Sequence, residues 1–231
     1  MAKEQGAVVL LSGGMDSTAA LYWAIERYGS AHAITIEYGQ RHWIEIPHAR
    51  KIAGNAYAKH SHVTLGAKGV GMGSLLTALN GVITEANSVV PGRNLLFLWA
   101  GAVFAKTNGQ RAVVMGACAE DQAGYADCRP TTFAAMEAAL RLGLEWDGDI
   151  VAPYINASKL EILRDAERMG CLPAMRESWS CYDPQQVPGG QVDDRSPCGA
   201  CPACVKRDAA WKAFVPAAEG GLFMSHAGGQ R

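Results

Sequence analysis

The chain has 231 residues, 49% of them hydrophobic and 19% charged, with a formal net charge of −1. That composition suits one α/β domain with a full core, or one domain with a small appendage. It excludes the bulk basic footprint by which a chain binds nucleic acid or an anionic membrane surface.

The opening MAKEQG leads into a short apolar strand and lacks the long apolar region of a signal peptide. The most apolar later run, Leu95 to Ala105, is too short to span a bilayer. The expectation is therefore a cytoplasmic enzyme with no membrane and no direct nucleic-acid partner. Residues 7–11 (AVVLL) read as a buried strand. Ser12, Gly13, Gly14, Met15, Asp16, Ser17 and Thr18 follow, and an apolar helical pattern starts at once. A strand that breaks at glycines and restarts as a helix makes an anion site, from backbone N–H groups and the positive end of the helix. An ordinary turn with a Ser/Asp cap is the plainer alternative. Asp16 stands out, because a carboxylate beside phosphate needs a cation between them, and Mg²⁺ is the simplest.

Ala31–Ile36 predicts a second strand, ending in the polar stretch Glu37, Tyr38, Gly39, Gln40, Arg41, His42. A helix is expected over about Ile44–Lys59, with Pro47 in its first turn, and a third strand over His60–Leu65. This βαβαβ alternation predicts a doubly wound, mostly parallel sheet, with ligands beyond the carboxyl ends of its strands. The glycine-dense residues 66–74 read as a flexible loop. Pro91 and Gly92 turn the chain into an apolar helix, about Leu95–Lys106, with Arg93 and Asn94 at its start.

Arg111–Met115 predicts another buried strand. It ends in Gly116 and a polar loop whose Asp121, Tyr125, Asp127 and Arg129 suit a small polar ring with a charged substituent, with an ordinary surface loop as the equal alternative. Thr131 or Thr132 is expected to cap a helix to about Gly143. Ile150–Ile155 predicts a last strand, and Ser158 caps a helix through Met169 ended by Gly170. Lys159 in that first turn opposes the helix dipole.

The chain has seven cysteines. Cys181, Cys198, Cys201 and Cys204 form C-x₁₆-C-x₂-C-x₂-C, which suits a structural tetrahedral Zn²⁺ clamping the loop 182–197. An iron–sulfur cluster is the competing occupant. Cys118, Cys128 and Cys171 are expected to be packing residues, although Cys128 lies in a candidate site loop. A helix is expected over Val205–Phe214, with Arg207 on it.

SGGMDS resembles the PP-loop of the ATP pyrophosphatases, which adenylate a substrate oxygen and release pyrophosphate. With EYGQRH (37–42), VPGRN (90–94), GYADCR (124–129), Ser158-Lys159, WSCY (179–182), CGACPAC (198–204) and Arg207, the chain resembles the 7-cyano-7-deazaguanine synthase family over residues 7–210. That resemblance implies a PP-loop α/β domain over 1–170 and a Cys₄ zinc lobe over 171–216; the glycine-rich residues 217–231 read as a flexible tail. It implies a ligase that uses ATP, Mg²⁺ and Zn²⁺. The substrate would be 7-carboxy-7-deazaguanine, made into amide with ammonia and then into nitrile. A homodimer is implied too. Leu11, Ser12, Gly13, Gly14, Met15, Asp16, Ser17, Thr18 and Gly116 would bind ATP. Asp16, Ser17, Arg93 and Lys159 would be catalytic. Tyr38, Gln40, Arg41, Arg93, Asn94, Asp121, Tyr125 and Asp127 would hold the deazaguanine.

The chain departs from the family's pattern in the glycine-rich stretch between His60 and Val90, at Asn156-Ala157, at Ala126, in the long loop 182–197 and at Trp211. Those departures leave room for a relative found beside antiphage genes, which joins the activated deazaguanine to a protein amine. A tRNA sulfur-transfer enzyme and a non-catalytic zinc module are the readings from other classes. The first would want a basic face. The second would not need an intact SGGMDS loop.

Overall fold

The computed structural model describes residues 6–65, 74, 76–77, 83–184, 186–187, 191–192 and 197–215. The expectations for the 66–74 loop and the 217–231 tail concern residues that, Ser74 aside, lie outside these.

Five parallel strands form one sheet in the order β3-β2-β1-β4-β5. They are β1 (Ala7–Leu10), β2 (Ala31–Glu37), β3 (Lys59–Thr64), β4 (Ala112–Met115) and β5 (Asp149–Val151). Helices cover both faces, so β1 can be apolar at every position. The period-2 pleat sends its residues alternately to two cores. Val9 and Leu11 pack with α1 (Met15–Tyr28), α2 (Glu45–Asn55) and α5 (Lys159–Arg168). Val8 and Leu10 pack with α3 (Arg93–Thr107) and α4 (Pro130–Leu144). The doubly wound, parallel expectation holds. Among the described residues no helix is long and apolar enough to cross a membrane.

The strand order reverses direction between β1 and β4, which opens a crevice at their carboxyl ends. Gly116, just past β4, lets the two loops close there. A Cβ on it would lie 2.5 Å from Ser17 N and 2.6 Å from the Asp16 carbonyl carbon.

Several elements differ from expectation for local reasons. The helix expected to reach Lys59 ends at Asn55, and Tyr57 turns the chain with φ 53°. Pairing with β2 then claims Lys59–Thr64 as strand. The strand expected over Ile150–Ile155 stops at Val151, because β5 is an edge and Pro153 has no N–H to donate. Nor is it the last strand. Gln186–Val187 (β6) and Gln191–Val192 (β7) pair antiparallel inside the 182–197 loop. Helix α4 starts at Pro130, with Arg129 at its N-cap; Thr132 instead donates to Ala126 O at 2.8 Å. Helix α7 (Pro202–Ala213) begins three residues before Val205, at a proline suited to a first turn. The short helix α6 (Leu172–Glu177) was not expected, as six residues are too few to show a period. Cys171, Met175, Ala210 and Phe214, from α7 and around α6, belong to the same core as α1 and α5.

Candidate active site

A cavity of about 300 Å³ opens at the carboxyl ends of β1, β2 and β4. The SGGMDS loop forms one wall. Gly13 takes φ 93°, and a Cβ there would lie 2.4 Å from Glu45 O, so the loop folds this tightly only with glycine. Helix α1 starts at Met15, with Gly14 as an N-cap that supplies no side-chain acceptor. The first-turn N–H groups thus keep their capacity for an anion. Ser12 Oγ and Ser17 Oγ lie 3.0 Å apart, and Ser12 Oγ accepts from Gly14 N at 3.2 Å. Leu11, Ser12, Gly14, Met15, Asp16, Ser17 and Gly116 all reach the cavity. Gly13 and Thr18 do not: Thr18 is buried, and its Oγ1 donates to Gly14 O at 2.8 Å.

Lys159 explains itself here. It heads α5, whose cap is reciprocal: Ser158 Oγ accepts from Glu161 N, and Glu161 accepts from Ser158 N. That turn aims Lys159 Nζ at Asp16 Oδ2, 2.5 Å away, and its backbone N–H at Glu120 Oε1, 3.0 Å away. Burial works against the ammonium, yet Asp16, then Cys118 and Asp121, hold its pKa above the ordinary lysine value. Burial, then Asp121 and Glu120, push the Asp16 carboxyl up, while Lys159 pulls it down. The cation opposed by its own helix dipole is thus answered by carboxylates from two other segments.

Asp16, Cys118 and Asp121 place ligand atoms within 4.8 Å of one another, and Asp16 Oδ1 is buried without a hydrogen-bond partner. Two carboxylates with an unmatched oxygen fit Mg²⁺. The thiol does not, and burial keeps Cys118 protonated.

The opposite end is aromatic and cationic. Arg93 Nη1 donates to Tyr38 Oη at 3.0 Å, and its guanidinium lies 5.8 Å from the Tyr38 ring centroid. Arg93 Nε and His42 Nδ1 are buried without partners. Tyr125 Oη and Ser88 Oγ lie 2.9 Å apart. Tyr38, Arg93, Asn94, Asp121 and Tyr125 all line the cavity.

Gln40, Arg41 and Asp127 are not brought to its wall. Gln40 Oε1 accepts from Tyr38 N at 2.9 Å, and its Nε2 donates to Glu45 Oε1 at 3.1 Å. Arg41 pairs with Asp183. Asp127 Oδ2 accepts from Asn94 N at 3.0 Å, so it caps α3, where Gly92 has no side chain to do so. Cys128 is more than packing: it lines the cavity and its Sγ accepts from Asn94 Nδ2 at 3.1 Å.

Sequence reasoning missed Glu45, Glu120, Phe97, Tyr182, Trp179 and Lys206, all on the wall. An acidic residue opening a helix straight after EYGQRH was the available signal for Glu45. The others arrive from separate segments, and spacing alone could not group them.

The four cysteines meet beside the SGGMDS loop. Their sulfurs lie within 4.8 Å of one another, and Cys198 Sγ and Cys204 Sγ are 3.9 Å apart. A tetrahedron with Zn–S bonds of about 2.3 Å has edges of about 3.8 Å. The backbone N–H groups of Cys198, Cys201 and Tyr182 point at Cys181, Cys198 and Cys201 sulfurs at 3.3, 3.3 and 3.4 Å. Donors aimed at sulfur suit thiolates, so the corner can hold a metal ion. Arg207 braces it, donating to Ser178 Oγ at 2.6 Å and Met175 O at 2.9 Å. Trp179 N–H reaches Gly13 O at 2.8 Å and joins the corner to the loop.

The family model described as "Queuosine biosynthesis protein QueC" matches residues 6–215. The chain belongs to that family. It is 39% identical over 216 residues to the 7-cyano-7-deazaguanine synthase of Chromobacterium violaceum, covering 89% of this chain and 88% of the relative. It is 39% identical over 209 residues to the synthase of Laribacter hongkongensis, covering 87% of each. A solved NMN synthetase from Francisella tularensis aligns with TM-score 0.47 and 14% identity, over 94% of this chain and 82% of that one, too loosely to carry an argument. Membership of QueC makes the chain an enzyme-family member of queuosine biosynthesis. All the sequence blocks quoted for the resemblance fall within the matched span.

Proposed function

We propose that this protein is a ligase that converts 7-carboxy-7-deazaguanine, with ATP and ammonia, into 7-cyano-7-deazaguanine (preQ₀). The observation that carries the reading is one cavity with the SGGMDS loop and the Asp16–Lys159 pair at one end and Arg93, Tyr38 and Tyr125 at the other. The names of the two relatives support the product.

A carboxylate is a poor electrophile, and adenylation makes its carbon attackable. The substrate carboxylate oxygen attacks the α-phosphorus of ATP, and pyrophosphate leaves. Ammonia then attacks the acyl carbon and AMP leaves, giving the amide. The amide oxygen takes a second adenylyl group, and loss of AMP gives the nitrile. In this reading the α1 N–H groups, Ser12 and Ser17 hold the pyrophosphate. Lys159 and Arg93 offset the charge that gathers on phosphate and carboxylate oxygens. Asp16 and Asp121 would hold Mg²⁺, which supplies further charge neutralisation. Cys181, Cys198, Cys201 and Cys204 would hold a structural Zn²⁺. Tyr38 and Tyr125 offer the deazaguanine ring its aromatic faces. The work is positioning and electrostatics, with no covalent nucleophile.

The reading divides the chain at about residue 170, includes a homodimer, and places the protein in the cytoplasm. Light scattering on the purified protein tests the dimer. No observation favours the protein-amine acceptor or the tRNA sulfur-transfer reading.

Mass spectrometry of a reaction with 7-carboxy-7-deazaguanine, ATP, Mg²⁺ and ammonium tests the function. The expected result is the nitrile with two AMP per turnover. A reaction that ends at the amide would overturn the nitrile step, and no AMP at all would overturn the whole reading.

A further inference from the structure

The chemistry just proposed, on which this inference rests, moves protons unevenly. Adenylation of a carboxylate moves none. Amide formation removes one proton from the incoming ammonia, as the C–N bond forms and AMP leaves with the C–O electron pair. Nitrile formation removes two more, as the second AMP leaves and the C≡N bond is completed. Three protons therefore need a base, all of them after the first adenylation.

Most carboxylates around the cavity are committed. Asp16 is paired with Lys159 and Glu85 with Lys206, at 2.5 and 2.8 Å. Glu120 accepts from Lys159 N and Asp121 from Cys118 N, at 3.0 and 3.2 Å. Glu45 differs. It reaches the cavity from the start of α2, and its side chain is only 13% exposed. Its Oε1 accepts from Gln40 and lies 3.5 Å from His42 Nε2. Its other oxygen has no protein hydrogen bond among the described residues.

Three titratable groups face it: His42, Tyr38 and, from α3, Arg93. Burial, helped by Arg93, lowers the His42 pKa to about 3, so that ring is neutral and no ion-pair partner. From the SGGMDS loop, Gly13 packs against the Glu45 backbone carbonyl. The carboxylate of α6, Glu177, pairs with Lys51 instead. Burial pushes the Glu45 carboxyl up to about 8, against the pull of Gln40 and Arg93. A carboxylate so placed is a far stronger base than one in water and still ionises near neutral pH.

We propose that Glu45 is the base that takes the protons from the nitrogen as the amide and then the nitrile form. Gln40, which never reaches the cavity wall, is its positioning residue.

The test is Glu45→Gln, assayed by two readouts on the full chain. One is ATP–pyrophosphate exchange driven by 7-carboxy-7-deazaguanine, which reports the proton-neutral step. The other is amide and nitrile formation with ammonium. Exchange within about threefold of wild type, with product formation down about 100-fold or more, is the expected result. At a fixed concentration of free ammonia, the rise of the wild-type rate with pH, centred near 8, should vanish as well. Four results would overturn the proposal: product formation at the wild-type rate, exchange and product falling in parallel, a loss confined to KM for the deazaguanine, or a pH rise that persists. If Glu45→Gln does not fold, Gln40→Leu takes its place. Losing that hydrogen bond should move the rise to higher pH, and an unmoved rise overturns the idea. Wild-type protein without exchange would instead sink the functional reading.

Discussion

The four-cysteine corner and the cavity beside it are built on opposite plans. The corner takes three of its four sulfurs from seven consecutive residues, Cys198 to Cys204, and every sulfur faces its fellows. The cavity draws its polar groups from strand ends and helix starts spread between Leu10 and Arg207, and it leaves Asp16 Oδ1, His42 Nδ1 and Arg93 Nε buried without partners. A closed set of donors holds a shape. An open set is stable only if something else completes it, since a buried polar atom left unmatched costs about 1–3 kcal/mol. The first plan stabilises structure, and the second stores demand for ligand.

That contrast can be broken most forcefully at the corner. Stripping metal with a chelator, or Cys201→Ala, should unfold residues around Cys181 and Trp179, and a large drop in thermal stability with loss of any metal held there would register it. Activity should go with it, because Trp179 N–H no longer anchors Gly13 O. The next effect belongs to the cavity alone. Lys159→Ala should cut ATP–pyrophosphate exchange about 100-fold or more, with the metal content of the corner unchanged. A parallel loss of metal would erase the distinction between the two regions.

Glu45 gives a smaller effect with a sign. Its carboxyl is pushed up to about 8 from 4.5, so the folded state binds a proton that the unfolded state has already released. That contribution is fully present below about pH 4.5 and is lost as pH rises through about 8. Glu45→Gln should therefore match wild type in thermal stability near pH 5, apart from a constant offset, and gain on it by pH 9. A gap that stays constant between those pH values would count against a buried carboxyl. Smallest is Asp127→Ala, which removes the cap of α3. It should cost about 1 kcal/mol and lower the melting temperature by about 2–4 °C, without abolishing exchange.

The same contrast governs what the sequence discloses. The Cys₄ spacing and SGGMDS are legible because their chemistry is local: neighbours in the chain are neighbours in space. The parallel sheet is legible because β1 is apolar at all four positions, as only a strand covered on both faces can be. Asp127 misleads for the opposite reason. A carboxylate in a polar loop at a strand end looks the same whether it meets a ligand or an N–H 33 residues away. Gln40 and Arg41 belong to a motif that suggests contact, yet they act on Glu45 and Asp183. Glu45 itself escaped because burial, not identity, makes it unusual.

The single bond from Trp179 N–H to Gly13 O, 2.8 Å long, has a thermodynamic corollary. Two binding sites that share a mechanical tie must influence each other by equal factors, whichever is filled first. If metal in the corner steadies the loop for pyrophosphate, then pyrophosphate in the loop must steady the corner for metal. Nucleotide supply would then influence how firmly the protein retains its metal, and metal supply how firmly it grips ATP, by the same factor.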